Sequence, residues 1–228
     1  MVHEKNCRDC KFRSPLFNFL SEKEFDLINQ NRFEVKFKAG ETIRKQGTYL
    51  SHVISLNKGL AKLYLEGIDN RNVILRIISP TNFIGGPGLY VDQRHHYTVT
   101  ALIESVACFI EREVFKEIIH SNRNFAEEFI KDLSNNTLTT YNRLINLTQK
   151  QIPGRMADAL VYLSDEIFKS KSFKILLSKQ DLADLSGMSK DSAVRGLRSF
   201  KEEGIIDMNK DLITLLDYEA LKKISRIG

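Results

Sequence analysis

The residues best equipped for chemistry lie between Ser178 and Glu203, in the run S-K-Q-D-L-A-D-L-S-G-M-S-K-D-S-A-V-R-G-L-R-S-F-K-E-E. Ser178 and Ser189 each stand where a hydroxyl can cap a helix. Leu182 and Leu185 give the first helix an apolar face, Ala183 leaves room for a second helix to cross closely, and Gly187 supplies the left-handed corner between them. The second helix is expected to bury Ala193, Val194 and Leu197 while presenting Lys190, Asp191, Ser192, Arg195 and Ser199, and to stop at Gly204. Two β segments follow, Ile205 to Met208 and Leu212 to Leu215, around the turn Asn209-Lys210-Asp211. This is the pattern of a helix-turn-helix with a wing, whose second helix suits the major groove of duplex DNA. Arg195 is the expected donor to guanine O6 and N7, and Asp191, one turn earlier, would accept from a cytosine amine or hold Arg195. Lys179, Gln180 and Lys190 are expected on phosphates. The plain alternative is an αα-hairpin with a solvated charged face. Small residue, corner glycine, cap and wing occurring together, in order, favour DNA.

Other groups could also do chemistry. Cys7 and Cys10 form a C-x2-C pair and Cys108 lies far along the chain. Iron–sulfur ligation takes four donors, so a cluster or a zinc site would need His3, Asp9 or an exogenous ligand as well; unligated thiols are the alternative, with Cys108 a small buried side chain. His95 and His96 could touch an anionic or haem-like ligand, or simply form an exposed hairpin turn beside Arg94. No nucleophile–base pair, no phosphate-cradling loop with its lysine and no complete catalytic metal set is found, so an enzyme is not expected.

These groups need positioning elements. The chain has 228 residues, long enough for two modest cores, with a formal net charge of +5 that permits a nucleic-acid partner without requiring one. Apolar runs are too short to cross a bilayer, and the charged, cysteine-bearing start together with an odd count of three cysteines fits a reducing cytoplasm. Ser21 opens a helix-start pattern, S-E-K-E, for a short helix to Ile28. Strand-like pieces follow at Phe33 to Phe37, Val53 to Leu56, Leu60 to Leu65, Val73 to Ile78, Tyr97 to Ala101 and Val106 to Ile110. Turn residues separate them, which predicts an antiparallel roll or barrel. Helical spacing begins at Val114, Phe115, Ile118 and Ile119. It continues as Ala126, Ile130, Leu133, Thr137, Thr140, Leu144 and Leu147, the 4-3 rhythm of a two-stranded seam. Self-association along it would make a homodimer; the alternative is a helix packed on its own sheet. Pro153-Gly154 breaks the pattern. The predicted class is therefore α+β, with an N-terminal segment (1–20), an antiparallel β-roll of jelly-roll type (21–122), a long dimerisation helix (123–152) and a winged helix-turn-helix (153–228).

Over nearly its whole length the sequence resembles the Crp/Fnr family of transcription regulators. G-M-S-K-D-S-A-V-R is similar to that family's G-x-S-R-E-T-V-x-R element, placing Lys190, Asp191 and Arg195 at its base- and phosphate-contacting positions. Gly40, Gly47, Gly59 and T-N-F-I-G-G-P-G-L-Y resemble its roll turns and its G-D-F-I-G-E-x-x-L segment. The resemblance implies a dimeric DNA-binding regulator that works with RNA polymerase. It also places an effector pocket at Gly85, Gly86, Leu89, His95, His96, Tyr97, Thr137, Thr140 and Tyr141. Cyclic-nucleotide-binding relatives carry a glutamate and an arginine-serine pair where this chain has Gly86 and His96-Tyr97, so tight cyclic AMP binding is not expected. The setting of Cys108 is similar to that of the distant cluster ligand in oxygen-sensing members. Gly196 departs from the family's apolar residue and costs about 1 kcal/mol of helix propensity against alanine.

Overall fold

The structure is a computed structural model that describes residues 7–10 and 12–228. The chain divides into two compact units, Met1–Glu66 with Ile77–Leu138 and Gly67–Arg76 with Thr139–Gly228.

The expected roll forms. Strands β1 (Arg32–Phe37), β2 (Thr42–Arg44), β3 (His52–Lys58), β4 (Ala61–Leu65), β5 (Val73–Ile78), β6 (Phe83–Ile84), β7 (Thr98–Ala101) and β8 (Ser105–Glu111) make two four-stranded sheets. Their orders are β1-β8-β3-β6 and β2-β7-β4-β5. The chain passes repeatedly from one sheet to the other, which a run of short strands with frequent turns permits. Strands β2 and β6, of three and two residues, escaped the sequence reading because a period of two needs more length to show. In the β1–β8 ladder Phe33 pairs with Phe109, and their rings stack at 5.2 Å.

Helix α1 (Glu22–Gln30) opens with the predicted cap: the Ser21 hydroxyl accepts from the Glu24 N–H, and the Glu24 carboxylate accepts from the Ser21 N–H at 2.7 Å. Helix α2 (Arg112–Ser121) buries Val114, Phe115 and Ile118. One core gathers the N-terminal segment, α1, α2, the outer face of β3 and β8, and Phe125 and Phe129 of the long helix α3 (Arg123–Gln149).

Helix α3 starts at the predicted residue but ends at Gln149, short of the predicted 152, and its faces are turned from the predicted seam. Leu133 packs against the first unit's core and Leu147 is half-buried, whereas Ile130, Leu138, Tyr141, Leu144 and Ile145 are exposed. The uncovered line runs Ile130, Ser134, Thr137, Tyr141, Leu144, Thr148. It keeps the 4-3 rhythm of a coiled-coil face and sits slightly around the helix from the one read off the sequence. The reading of a helix packed on its own sheet holds for Phe125, Phe129 and Leu133.

In the second unit the chain turns between Gln149 and α4 (Ile152–Tyr162), with Pro153 in the first turn, where its missing N–H costs nothing. Helices α5 (Lys179–Ser186), α6 (Lys190–Glu202) and α7 (Tyr218–Ile227) surround a core that includes Met156, Leu160, Leu182, Ala183, Leu197 and Phe200. Strands β9 (Ser172–Lys174), β10 (Ile206–Asn209) and β11 (Leu212–Leu215) form a small antiparallel sheet ordered β10-β11-β9. Strand β9, three residues long, was not foreseen. Among the described residues no helix is long and apolar enough to cross a membrane.

Candidate nucleic-acid interface

Helix α5 starts at Ser178, whose hydroxyl accepts from the Asp181 N–H at 3.1 Å while the Asp181 carboxylate accepts from the Ser178 N–H at 3.0 Å. It ends at Gly187, in the left-handed conformation (φ 58°, ψ 45°). Ala183, fully buried, lets α6 cross closely, and α6 is capped by Ser189, which accepts from the Ser192 N–H at 3.2 Å. Ala193, Leu197 and Phe200 are its buried face. Val194, expected inside, is exposed: on α6 it lies one residue beyond Ala193, a step that turns it out of the line Ala193, Leu197, Phe200, and Phe200 fills the core in its place.

All the candidate DNA contacts reach the surface. Lys179, Gln180, Ser189, Lys190, Asp191, Arg195 and Ser199 are exposed, and Ser192 is half-buried. Their side chains are not equally available. Gln180 Nε2 donates to Asp184 Oδ1 at 2.7 Å, and the Ser199 hydroxyl donates to Glu203 Oε1 at 2.6 Å. Arg195 Nη2 donates to Ser192 Oγ at 3.2 Å, so Ser192, rather than Asp191, steadies it. Two basic residues of α6 were missed because they fall beyond the recognition motif. Arg198 Nε donates to Glu202 Oε1 at 2.7 Å, and Lys201 Nζ donates to the Met208 carbonyl at 2.7 Å and meets Asp207 at 3.1 Å. Lys201 thereby fastens the wing to α6. The wing turns at Lys210 with φ 53°, next to Asp211.

Comparisons with known proteins agree with this geometry. The family model described as Cyclic nucleotide-binding domain matches residues 34–122, and the Crp-like helix-turn-helix domain matches residues 154–224. The chain belongs to the Crp/Fnr family of DNA-binding transcription regulators. The "Transcriptional activator protein FnrL" of Cereibacter sphaeroides is 22% identical to this Crp/Fnr chain, over 94% of it and 90% of that protein. The "CRP-like cAMP-activated global transcriptional regulator" of Mycobacterium tuberculosis is 21% identical, over 94% and 97%. The structure of FixK2 from Bradyrhizobium japonicum superposes with a TM-score of 0.78 at 17% identity, covering 86% of this chain and 98% of that one.

Several residues of the segment where the family resemblance placed an effector make contacts within the chain. The Gly85 N–H donates to Tyr97 Oη at 3.0 Å. A Cβ on Gly86 would lie 3.5 Å from Tyr97 Oη and 3.8 Å from Leu133 Cδ2. Leu89 belongs to the core. The exposed-turn reading fits His96, which meets Asp92 at 3.0 Å, but not its neighbour. His95 is 2% exposed and neither ring nitrogen has a hydrogen-bond partner. Burial first, then the charges of Arg44 and His96, push its pKa down to about 4. Thr137, Thr140 and Tyr141 are exposed on α3, and the Thr137 hydroxyl donates to the Leu133 carbonyl at 2.9 Å.

Cys7, Cys10 and Cys108 line one small cleft with Arg32. Cys7 and Cys108 are buried and hydrogen-bonded thiol to thiol, a contact that holds Cys7 below the usual thiol range and pushes Cys108 above it. Among the described residues no group of three or more His, Cys, Asp and Glu side chains is placed to hold a metal. The described thiols therefore do not by themselves fit an iron–sulfur or zinc donor set; His3 and the Asp9 side chain lie outside what the structure describes.

Proposed function

We propose that this regulator acts as a homodimer that lays two copies of α6 into successive major grooves of a pseudo-palindromic DNA site, about 34 Å apart. The observation that carries the reading is the outward edge of α6. Lys190, Asp191 and Arg195 are all exposed on a helix whose N-terminus is capped by Ser189. Arg195 reads a guanine, Asp191 a neighbouring cytosine, and Lys179 and Lys190 hold phosphates. An effector or redox signal in the β-roll reaches α6 by shifting α3. Tight binding of cyclic AMP is not part of this reading: the sequence has His96-Tyr97 where the family resemblance expects an arginine-serine pair, and Tyr97 Oη is engaged by Gly85. RNA polymerase as partner, a cytoplasmic location and the lack of enzymatic activity belong to it by family resemblance.

Selection of bound duplexes from a random pool, with wild type and Arg195→Ala side by side, tests it. Wild type is expected to yield a pseudo-palindrome, and the variant to lose about 1–3 kcal/mol of affinity with relaxed preference at one position per half-site. No recovery of duplexes by either protein would favour the rival, a DNA-independent sensor or scaffold built on the roll, and equal, sequence-indifferent binding by both would remove the base-reading role of Arg195. Calorimetric binding of cyclic AMP at micromolar or better affinity would overturn the ligand statement alone.

A further inference from the structure

The sequence alternation of β8 decides where Cys108 points. Its register sets Cys108 opposite Glu34 on β1 and Ser55 on β3, on the sheet face that the N-terminal segment covers. That segment is held down by the Cys7 N–H, which donates to Asn29 Oδ1 at 2.9 Å. The two cysteines, from distant parts of the first unit's sequence, thus meet in a cleft of about 10 Å³, with the half-buried Cys10 on the same wall. Arg32 Nη1 donates to Cys108 Sγ at 3.7 Å and meets Glu34 Oε1 at 3.7 Å, and Ser55 Oγ is buried without a hydrogen-bond partner. An apolar core filled for packing alone would be served as well by alanine or valine. Here two thiols line one small cleft, and the Arg32 guanidinium stands beside Cys108 to favour the thiolate.

We propose that Cys7 and Cys108 are an oxidisable pair that closes to an intramolecular disulfide under peroxide, locking the N-terminal segment onto β8. The Cys7 thiolate attacks one peroxide oxygen; an S–O bond forms, the O–O bond breaks, and the departing hydroxide takes a proton to leave as water. Cys108 then gives up its proton and its sulfur attacks the Cys7 sulfur. The S–S bond forms, the S–O bond breaks, and a second water leaves. Two thiols lose two electrons and peroxide becomes two waters. Cys7 and Cys108 share their core with Phe125 and Phe129 of α3, so the bond stiffens the platform on which the long helix rests. The proposal does not depend on the DNA reading, because thiol pairing and operator binding are measured separately and either can fail alone.

The test uses the full chain, chelator-treated, reduced, and then titrated with hydrogen peroxide before non-reducing peptide mapping by mass spectrometry. A linked Cys7–Cys108 peptide with Cys10 still alkylatable is the expected result. The same link is expected in Cys10→Ser, together with an unfolding temperature that rises on oxidation in both proteins and not in Cys7→Ala. A Cys7–Cys10 bond, a link between two chains, or a Cys108 that remains a free thiol would overturn the proposal. So would iron or zinc retained on the cysteines after chelation. Because Cys10→Ser and Cys7→Ala leave Cys108 in the core, the result does not hang on whether a Cys108 variant folds.

Discussion

Arg155 Nη1 donates to the Gly187 carbonyl at 2.8 Å, so a side chain from α4 holds the corner between α5 and α6. The same nitrogen lies 3.4 Å from the Leu147 carbonyl in the last turn of α3. Leu147 Cδ2 would stand 2.4 Å from a Cβ on Gly187, whose left-handed φ already disfavours any side chain. Gly187→Ala is expected to cost about 1–2 kcal/mol from the backbone alone, with a further penalty as Leu147 gives way. Arg155→Met leaves the Gly187 carbonyl without its charged donor and is expected to cost about 1–3 kcal/mol. Urea unfolding followed by circular dichroism measures both. A neutral Gly187→Ala would show that the corner is not as tight as these distances make it.

Gly196 gives the opposite expectation. It lies within α6 with helical backbone, and a Cβ there would meet Met156 Cγ at 3.5 Å, ordinary contact. Gly196→Ala is therefore expected to stabilise by up to about 1 kcal/mol, raising the unfolding temperature by roughly 2–4 °C. A drop in that temperature would mean that α6 needs the glycine for closer packing than the 3.5 Å contact indicates.

The elements whose side chains repeat over many residues were legible from the sequence: β5 runs from Val73 to Ile78 as read, and the caps at Ser21, Ser178 and Ser189 all form. Strands of two or three residues, such as β6, carry too few side chains for a period to emerge. Helix rotation was harder. Ala126, Leu133 and Leu147 share an apolar line with Ile130 and Leu144, and only the fold decides which of two overlapping lines faces inward. The exposed edge of α6 was readable because cap, corner and wing leave one face of that helix outside. The burial of His95 was not, since its neighbours Arg94 and His96 are both polar, and the meeting of Cys7 with Cys108 depends on how the N-terminal segment folds back over the roll.

His95 makes stability depend on pH. Its imidazole is neutral when folded, with a pKa near 4 against 6.5 in the unfolded chain. The unfolded state binds the extra proton first, so the contribution is intact above about pH 6.5 and is lost as pH falls towards 4. At roughly 1.36 kcal/mol per pKa unit the full loss is on the order of 3 kcal/mol. Urea midpoints between pH 7 and pH 4 should fall steeply for wild type and less so for His95→Leu, which also removes two unpartnered ring nitrogens. Parallel curves for the two proteins would place the acid sensitivity elsewhere.

The exposed line on α3 can be covered by a partner at little polar cost. The hydroxyls of Ser134, Thr137 and Thr148 donate to carbonyls one turn back, at 2.8, 2.9 and 2.8 Å, so a partner can cover them without stranding a donor. Around them Ile130, Tyr141 and Leu144 are 60%, 59% and 60% exposed, an apolar cost that a second copy of α3 would relieve. Each buried leucine contributes about 1.5–3 kcal/mol, and in a symmetric pair every substitution counts twice. Leu144→Glu is therefore expected to weaken association at least a hundredfold, at about tenfold per 1.4 kcal/mol, and to give a folded monomer by light scattering. Asn135→Glu, on the opposite side of the same helix, should remain dimeric. If Leu144→Glu kept the mass of the wild type while Asn135→Glu lost it, the dimer would use the other face of α3, and the line from Ile130 to Thr148 would need a different occupant.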